Sequence, residues 1–152
     1  MKNNYILSNN LLIESSINID PVLLTSLEDA LILIRQELHS FANQADFVEK
    51  MTAVFGEEIE VDSLKTAWLL GDLSIFPNIE MRNVSELNGA NGAYSSDTNR
   101  IYLSWEFLQA TSGNNDDLVG LLLEEFGHRV DSLLNTQDSA GDEGAIFSAL
   151  VL

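Results

Sequence analysis

Between Asp20 and Phe41, apolar side chains at Leu23, Leu24, Leu27, Ala30, Leu31, Ile34, Leu38 and Phe41 recur at three- and four-residue intervals. Only an α-helix brings positions with that spacing onto one face, and a face so continuous must be buried. Asp20 stands where an N-cap is needed, and Pro21 occupies the first helical position, where a missing N–H costs nothing. A long amphipathic helix over 20–41 is therefore expected.

The neighbouring segments read in the same way. Phe47, Val48, Met51, Val54 and Phe55 form the apolar stripe of a second helix over 43–55, stopped by Gly56. A third runs from its cap at Asp62 to Gly71. From Leu73 the texture changes to short β-prone runs. Ile79 to Val84 reads as one strand, and Gly92 to Leu103 as a hairpin around the polar turn "SSDTN". Ser104 then caps a short helix, a long one spans 116–134 with Asp116 and Asp117 in its first turn, and Asp142 caps a last one. Helices, then a small sheet, then helices again predict an α+β fold with a mostly antiparallel sheet. One domain over 1–152 is expected, its first part, 1–60, helical. The chain closes on "AIFSALVL", inside an apolar helical pattern with no stop signal, which is expected of a piece of a longer protein or of an end that packs inward.

Composition limits function. Twenty-four acidic residues against seven basic ones give a formal charge of −17, which repels phosphate backbones and anionic headgroups and attracts cations. Nucleic-acid binding is not expected. With no cysteine, a metal site would have to use carboxylate, imidazole or carbonyl ligands. No basic leader with a sustained apolar run opens the chain, and its apolar runs are far shorter than the roughly 18 residues a spanning helix requires, so neither a cleavable signal nor membrane insertion is expected.

The chemistry concentrates in "EEFGH", Glu124 to His128. Glu124 and His128 lie one turn apart on a helix, with roughly 6 Å of rise between them, so both side chains can reach one ion. Glu125, one step round, stands where zinc hydrolases carry the base that deprotonates a metal-bound water. A helix supplies two ligands comfortably, and Glu143, at the start of the next helix, is the expected third. Asp131, about 10 Å along the axis from Glu124, is expected with Asp138 and Asp142 around the site, where a carboxylate can receive the N–H of a ligating imidazole. Other readings of the same letters stay open at this point. Glu125 and Arg129 have the spacing of a surface ion pair, and Glu143 is well placed merely to favour a helix dipole. His39 reads as a surface residue, Trp68 and Trp105 as packing residues, and "SSDTN" and "SGNND" as turns.

A hairpin followed closely by a helix bearing x-E-x-x-H, with an acidic residue on the next helix, resembles the zincin metallopeptidase arrangement, in which this turn would read HEFGH. More closely, "ELNGANGAYSSDTNRIYLSWEFL" and "LLLEEFGHRVDSLLNTQDSAGDEGAIFSALV", with "LKTAWLLGDLSIFPNIEMR" before them, are similar to a module of large, mostly cyanobacterial, calcium-rich exoproteins with RTX-like or adhesin-like repeats. The resemblance covers roughly 67–151. It implies a divalent metal, zinc first, held by Glu124, His128 and Glu143, peptide hydrolysis with Glu125 as general base, and an extracellular or cell-surface setting. It also implies a peptide lying along the strand Arg100 to Ser104. The carboxylate at 124 moves ligand preference toward harder ions such as manganese, magnesium or calcium. A catalytically inactive, structural or calcium-dependent interaction module is the alternative that follows from the same substitution.

Overall fold

The computed structural model describes residues 2–7, 10–57, 59–135 and 142–152. Two strands, β1 (Asn3–Ile6) and β2 (Leu12–Ser15), come first and form a hairpin whose turn includes Asn10 at φ 60°. Three helices follow, α1 (Pro21–Ala42), α2 (Phe47–Phe55) and α3 (Asp62–Leu69). The Asp20 carboxylate accepts the N–H of Val22, as the capping pattern requires. Next are β3 (Asn78–Arg82), a 3₁₀ turn over Val84–Leu87, β4 (Gly92–Ser95), β5 (Arg100–Ser104) and α4 (Trp105–Ala110). The chain then enters α5 (Asn115–Leu134) and ends its described part with α6 (Glu143–Val151).

The fold is α+β, with one five-stranded sheet in the order β1-β2-β3-β5-β4. Two expectations need correction. Residues 1–60 are not wholly helical, because β1 and β2 precede α1; and the sheet is mixed, antiparallel at both ends (β1·β2, β4·β5) but parallel in the middle (β2·β3, β3·β5). The parallel pairs have a topological cause. Strand β2 reaches β3 only through the long crossover α1–α3, while β4 folds back outside β5 as its hairpin partner and leaves β5 to lie beside β3.

The two faces of the sheet differ in chemistry. Ile13, Ile79, Met81, Ile101 and Leu103 are buried against the helices. On the other face Glu14 and Glu80, register partners on β2 and β3, lie side by side and almost wholly buried. Two adjacent carboxylates are tolerable there because cations surround them. Lys2 Nζ is 2.6 Å from Glu80 and 3.7 Å from Glu14, Arg100 bridges both, and the Arg82 guanidinium pairs with Glu80 while lying 5.1 Å from the centre of the Tyr102 ring. Burial pushes the Glu80 carboxyl up, but the combined pull of Lys2 and Arg82 outweighs it and leaves its pKa below the usual 4.5.

The helical layer is organised by aromatic rings. Trp68 on α3 meets Phe47, Phe126 and Phe147 at ring-centre distances of 5.9, 6.1 and 5.9 Å, and Phe41 packs edge-on to Phe47 at 5.2 Å. Trp68 and Trp105 are both packing residues, as expected. His39 is an exposed residue whose Nδ1 lies 3.0 Å from the Leu69 carbonyl. Phe126 and Phe147 turn the apolar sides of α5 and α6 into this cluster, which leaves Glu124 and His128 on the flank of α5. Among the described residues, no helix is long and apolar enough to cross a membrane.

Candidate metal centre

Helix α5 begins as its sequence demands, with the Asn114 side chain accepting the N–H of Asp116, and buries Leu118, Leu122, Phe126 and Val130. Glu124 and His128, one turn apart, are half-buried on its side. Helix α6 is brought against that turn by two glycines. A Cβ on Gly144 would lie 2.3 Å from the Glu124 carbonyl oxygen and 2.7 Å from His128 Nε2, and one on Gly127 would lie 2.8 Å from Gly144 Cα. Only backbone hydrogen fits on either side of that contact. The start of α6 therefore sits directly over the EEFGH turn.

This approach delivers Asp142. As the N-cap of α6, its Oδ1 accepts the Ala145 N–H at 3.1 Å, and the same oxygen stands 3.6 Å from His128 Nε2. One ligand atom from each of Glu124, His128 and Asp142 falls within 4.8 Å of the others, the only such trio of histidine and carboxylate groups among the described residues. Ligand atoms around a shared ion stand roughly 3–4 Å apart, so the trio would have to contract by about 1 Å to hold a cation. Asp142 is the exposed member of the three, and its Oδ1 is shared with the Ala145 N–H. Two carboxylates and one imidazole make a donor set that suits zinc, manganese or calcium.

Two further expected residues, Glu143 and Asp131, are buried. Glu143 is not in the trio: it is buried in the first turn of α6, one residue past the cap, where a helical step of about 100° turns it away from Asp142. Asp142, expected around the ligands, is the third member of the trio. Asp131 is buried at the end of α5, where its Oδ1 accepts from Asn135 Nδ2 at 2.7 Å; the same amide donates to the Phe55 carbonyl at 3.0 Å and ties α5 to α2. Asp138 lies outside the described residues.

Glu125 is buried beside the trio, and its Oε2 accepts the backbone N–H of Tyr94 on β4 at 2.7 Å. Burial pushes its carboxyl above the ordinary range; His128 and the Tyr94 amide pull it back, while Glu124 and Asp142 add to the rise. The surface-pair reading of Glu125 and Arg129 is thereby corrected, since Glu125 faces β4 and the Arg129 Nε donates to the Ile75 carbonyl at 3.4 Å. Strand Arg100–Ser104 is also not available to a peptide. It is β5, hydrogen-bonded on one side to β3 and on the other to β4, so the end strand next to α5 is β4, whose Tyr94 N–H is held by Glu125.

Two contributors escaped the sequence. Tyr94 acts through its backbone, which no side-chain pattern reveals. Gly144, in "GDEG", carried a usable signal: a glycine just inside a helix start is costly unless something must come close. No family model matches this chain, and no curated protein or solved structure matches it either.

Proposed function

We propose that this chain is a zincin-like, metallopeptidase-related domain that holds a divalent cation at Glu124, His128 and Asp142 and hydrolyses peptide bonds with Glu125 as general base. The observation that supports it most is the convergence of those three ligand atoms within 4.8 Å beside a buried carboxylate. A bound cation would supply Lewis-acid polarisation of a carbonyl and a more acidic water. The protein's own contribution is positional. Glu125 is oriented by the Tyr94 amide on one oxygen, leaving the other to take a proton, and its raised pKa brings it closer to the range a general base needs. An extended peptide would approach along β4, the end strand of the sheet, using those outward backbone groups that remain once the Tyr94 N–H is given to Glu125. The resemblance of the EEFGH region favours zinc and an extracellular setting, within a larger exoprotein.

Metal analysis of the purified chain after equilibration with zinc, manganese or calcium tests the centre. One ion per chain is expected, lost in Glu124→Ala, His128→Ala and Asp142→Ala. In Glu125→Gln the ion is expected to stay while cleavage of an unfolded protein substrate disappears. The absence of bound ion under all three metals refutes the reading.

A non-catalytic, calcium-dependent interaction module is the second reading. It draws on the carboxylate at the first ligand position and on the exposure of Asp142, which together make an open, acidic, oxygen-rich site. Calcium preferred over zinc, with no cleavage by either the wild type or Glu125→Gln, would favour it.

A further inference from the structure

Directly beside Glu124, the facing sides of α5 and α6 leave an open groove of about 420 Å³. Its walls are short or apolar: Gly120 and Leu121 on α5, Ala145 and Ala149 on α6, with Phe107 of α4 at the side. The groove exists because α6 presents small side chains to this part of α5. Ser148, the one hydroxyl in it, is already committed, donating to the Gly120 carbonyl at 2.9 Å. At the end away from His128 lie the carboxylates of Asp116 and Asp117, both exposed, and no lysine, arginine or histidine lines the groove.

Asp117, Leu121 and Glu124 fall at positions i, i+4 and i+7, one stripe of α5 about 10 Å long. A carboxylate thus stands at each end of an apolar bed. The complementary ligand is a flexible aliphatic stem with a positive head: an extended lysine side chain reaches roughly 6 Å from its Cα, so a residue bound near Glu124 could lay its methylenes on Leu121 and bring its ammonium to Asp117 and Asp116. A neutral apolar side chain would fill the bed but leave the acidic end unmatched, and an acidic one would be repelled from both ends.

We propose that this groove is a subsite for a long basic side chain, lysine or arginine, of a peptide bound at the Glu124–His128–Asp142 centre. The assignment rests on the peptide-binding reading of that centre, but the determinants varied in the test, Asp116, Asp117 and Ala149, hold neither ion nor base. The test compares two blocked pentapeptides, identical except for a central lysine or norleucine, titrated into the full chain with and without zinc and followed by NMR. The lysine peptide is expected to bind about five- to tenfold more tightly, with the largest shifts at the amides of Gly120, Leu121 and Ala149, and its advantage should shrink in about 0.5 M salt. The double variant Asp116→Asn/Asp117→Asn should abolish the difference. So should Ala149→Lys, which places an internal ammonium in the groove and leaves the first turn of α5 intact. Equal affinities, no binding of either peptide, or a lysine preference that survives both variants overturns the proposal. His128→Ala separates the two readings: loss of the ion with the lysine preference intact leaves the subsite standing, whereas a wild type that binds no ion but keeps the preference condemns the metal centre alone.

Discussion

Replacing Gly144 by alanine drives one methyl group into the contact that assembles the candidate centre. The new Cβ would meet the Glu124 carbonyl oxygen at 2.3 Å and His128 Nε2 at 2.7 Å, so α6 must retreat by roughly 1 Å to restore ordinary van der Waals distances. The obstacle on one side is backbone, which cannot swing aside as the end of a long side chain can. Overpacking of this kind costs about 1–3 kcal/mol, and the better helix propensity of alanine returns about 0.5–1 kcal/mol. A net loss of about 1–2 kcal/mol is expected, or roughly 3–6 °C in Tm for a chain of this size. Denaturant unfolding followed by circular dichroism measures it directly. The same retreat carries Asp142 away from His128, so ion binding should weaken while Glu124 and His128 are chemically unchanged. Gly120→Ala is the internal control, because nothing lies within 4 Å of the added carbon in the middle of α5; there alanine should stabilise by about 0.5–1 kcal/mol. If the two substitutions shift stability by the same sign and amount, the close-contact account of Gly144 is wrong.

Other outcomes follow from the same structure. Glu80→Gln should destabilise by roughly 1–2 kcal/mol near neutral pH, less than a fully buried pair would lose because Lys2, Arg82 and Arg100 are about a third to a half exposed and can rehydrate. Since the folded pKa of Glu80 is depressed, its contribution is present above the usual 4.5 and disappears as pH falls through the folded value; the gap between wild type and Glu80→Gln, read from urea melts across pH, should close in acid, and a gap that persists or widens there contradicts the ion-network account. Phe147→Ala removes a fully buried ring that touches Trp68, Phe41, Phe55 and Phe126, and should cost about 3–5 kcal/mol. Ion binding at the first turn of α6 should fall with it, as calorimetric titration would report; unchanged ion affinity would mean that the aromatic cluster does not hold α6 in place.

Helices were legible wherever one apolar stripe was long enough. The pattern of Leu23 to Phe41 appears as α1, and Leu118, Leu122, Phe126 and Val130 as the buried side of α5, because a 3.6-residue period and a capping side chain are local properties of the chain. The hairpin β4–β5 was legible for the same reason, with a polar turn between two short β-prone runs. Strands β1 and β2 were not, since each is only four residues long and β2 buries Glu14, which reads as polar until Arg100, from 86 residues away, and Lys2 are brought beside it. The spacing of Glu124 and His128 was likewise determined by the helix that contains them. Which carboxylate joins them, which strand borders them and what Glu125 touches were decided by tertiary structure. The physical reason is the Gly127–Gly144 contact, which sets the height and rotation of α6 over α5, turns Asp142 rather than Glu143 toward His128, and depends on two helices whose meeting no local pattern encodes.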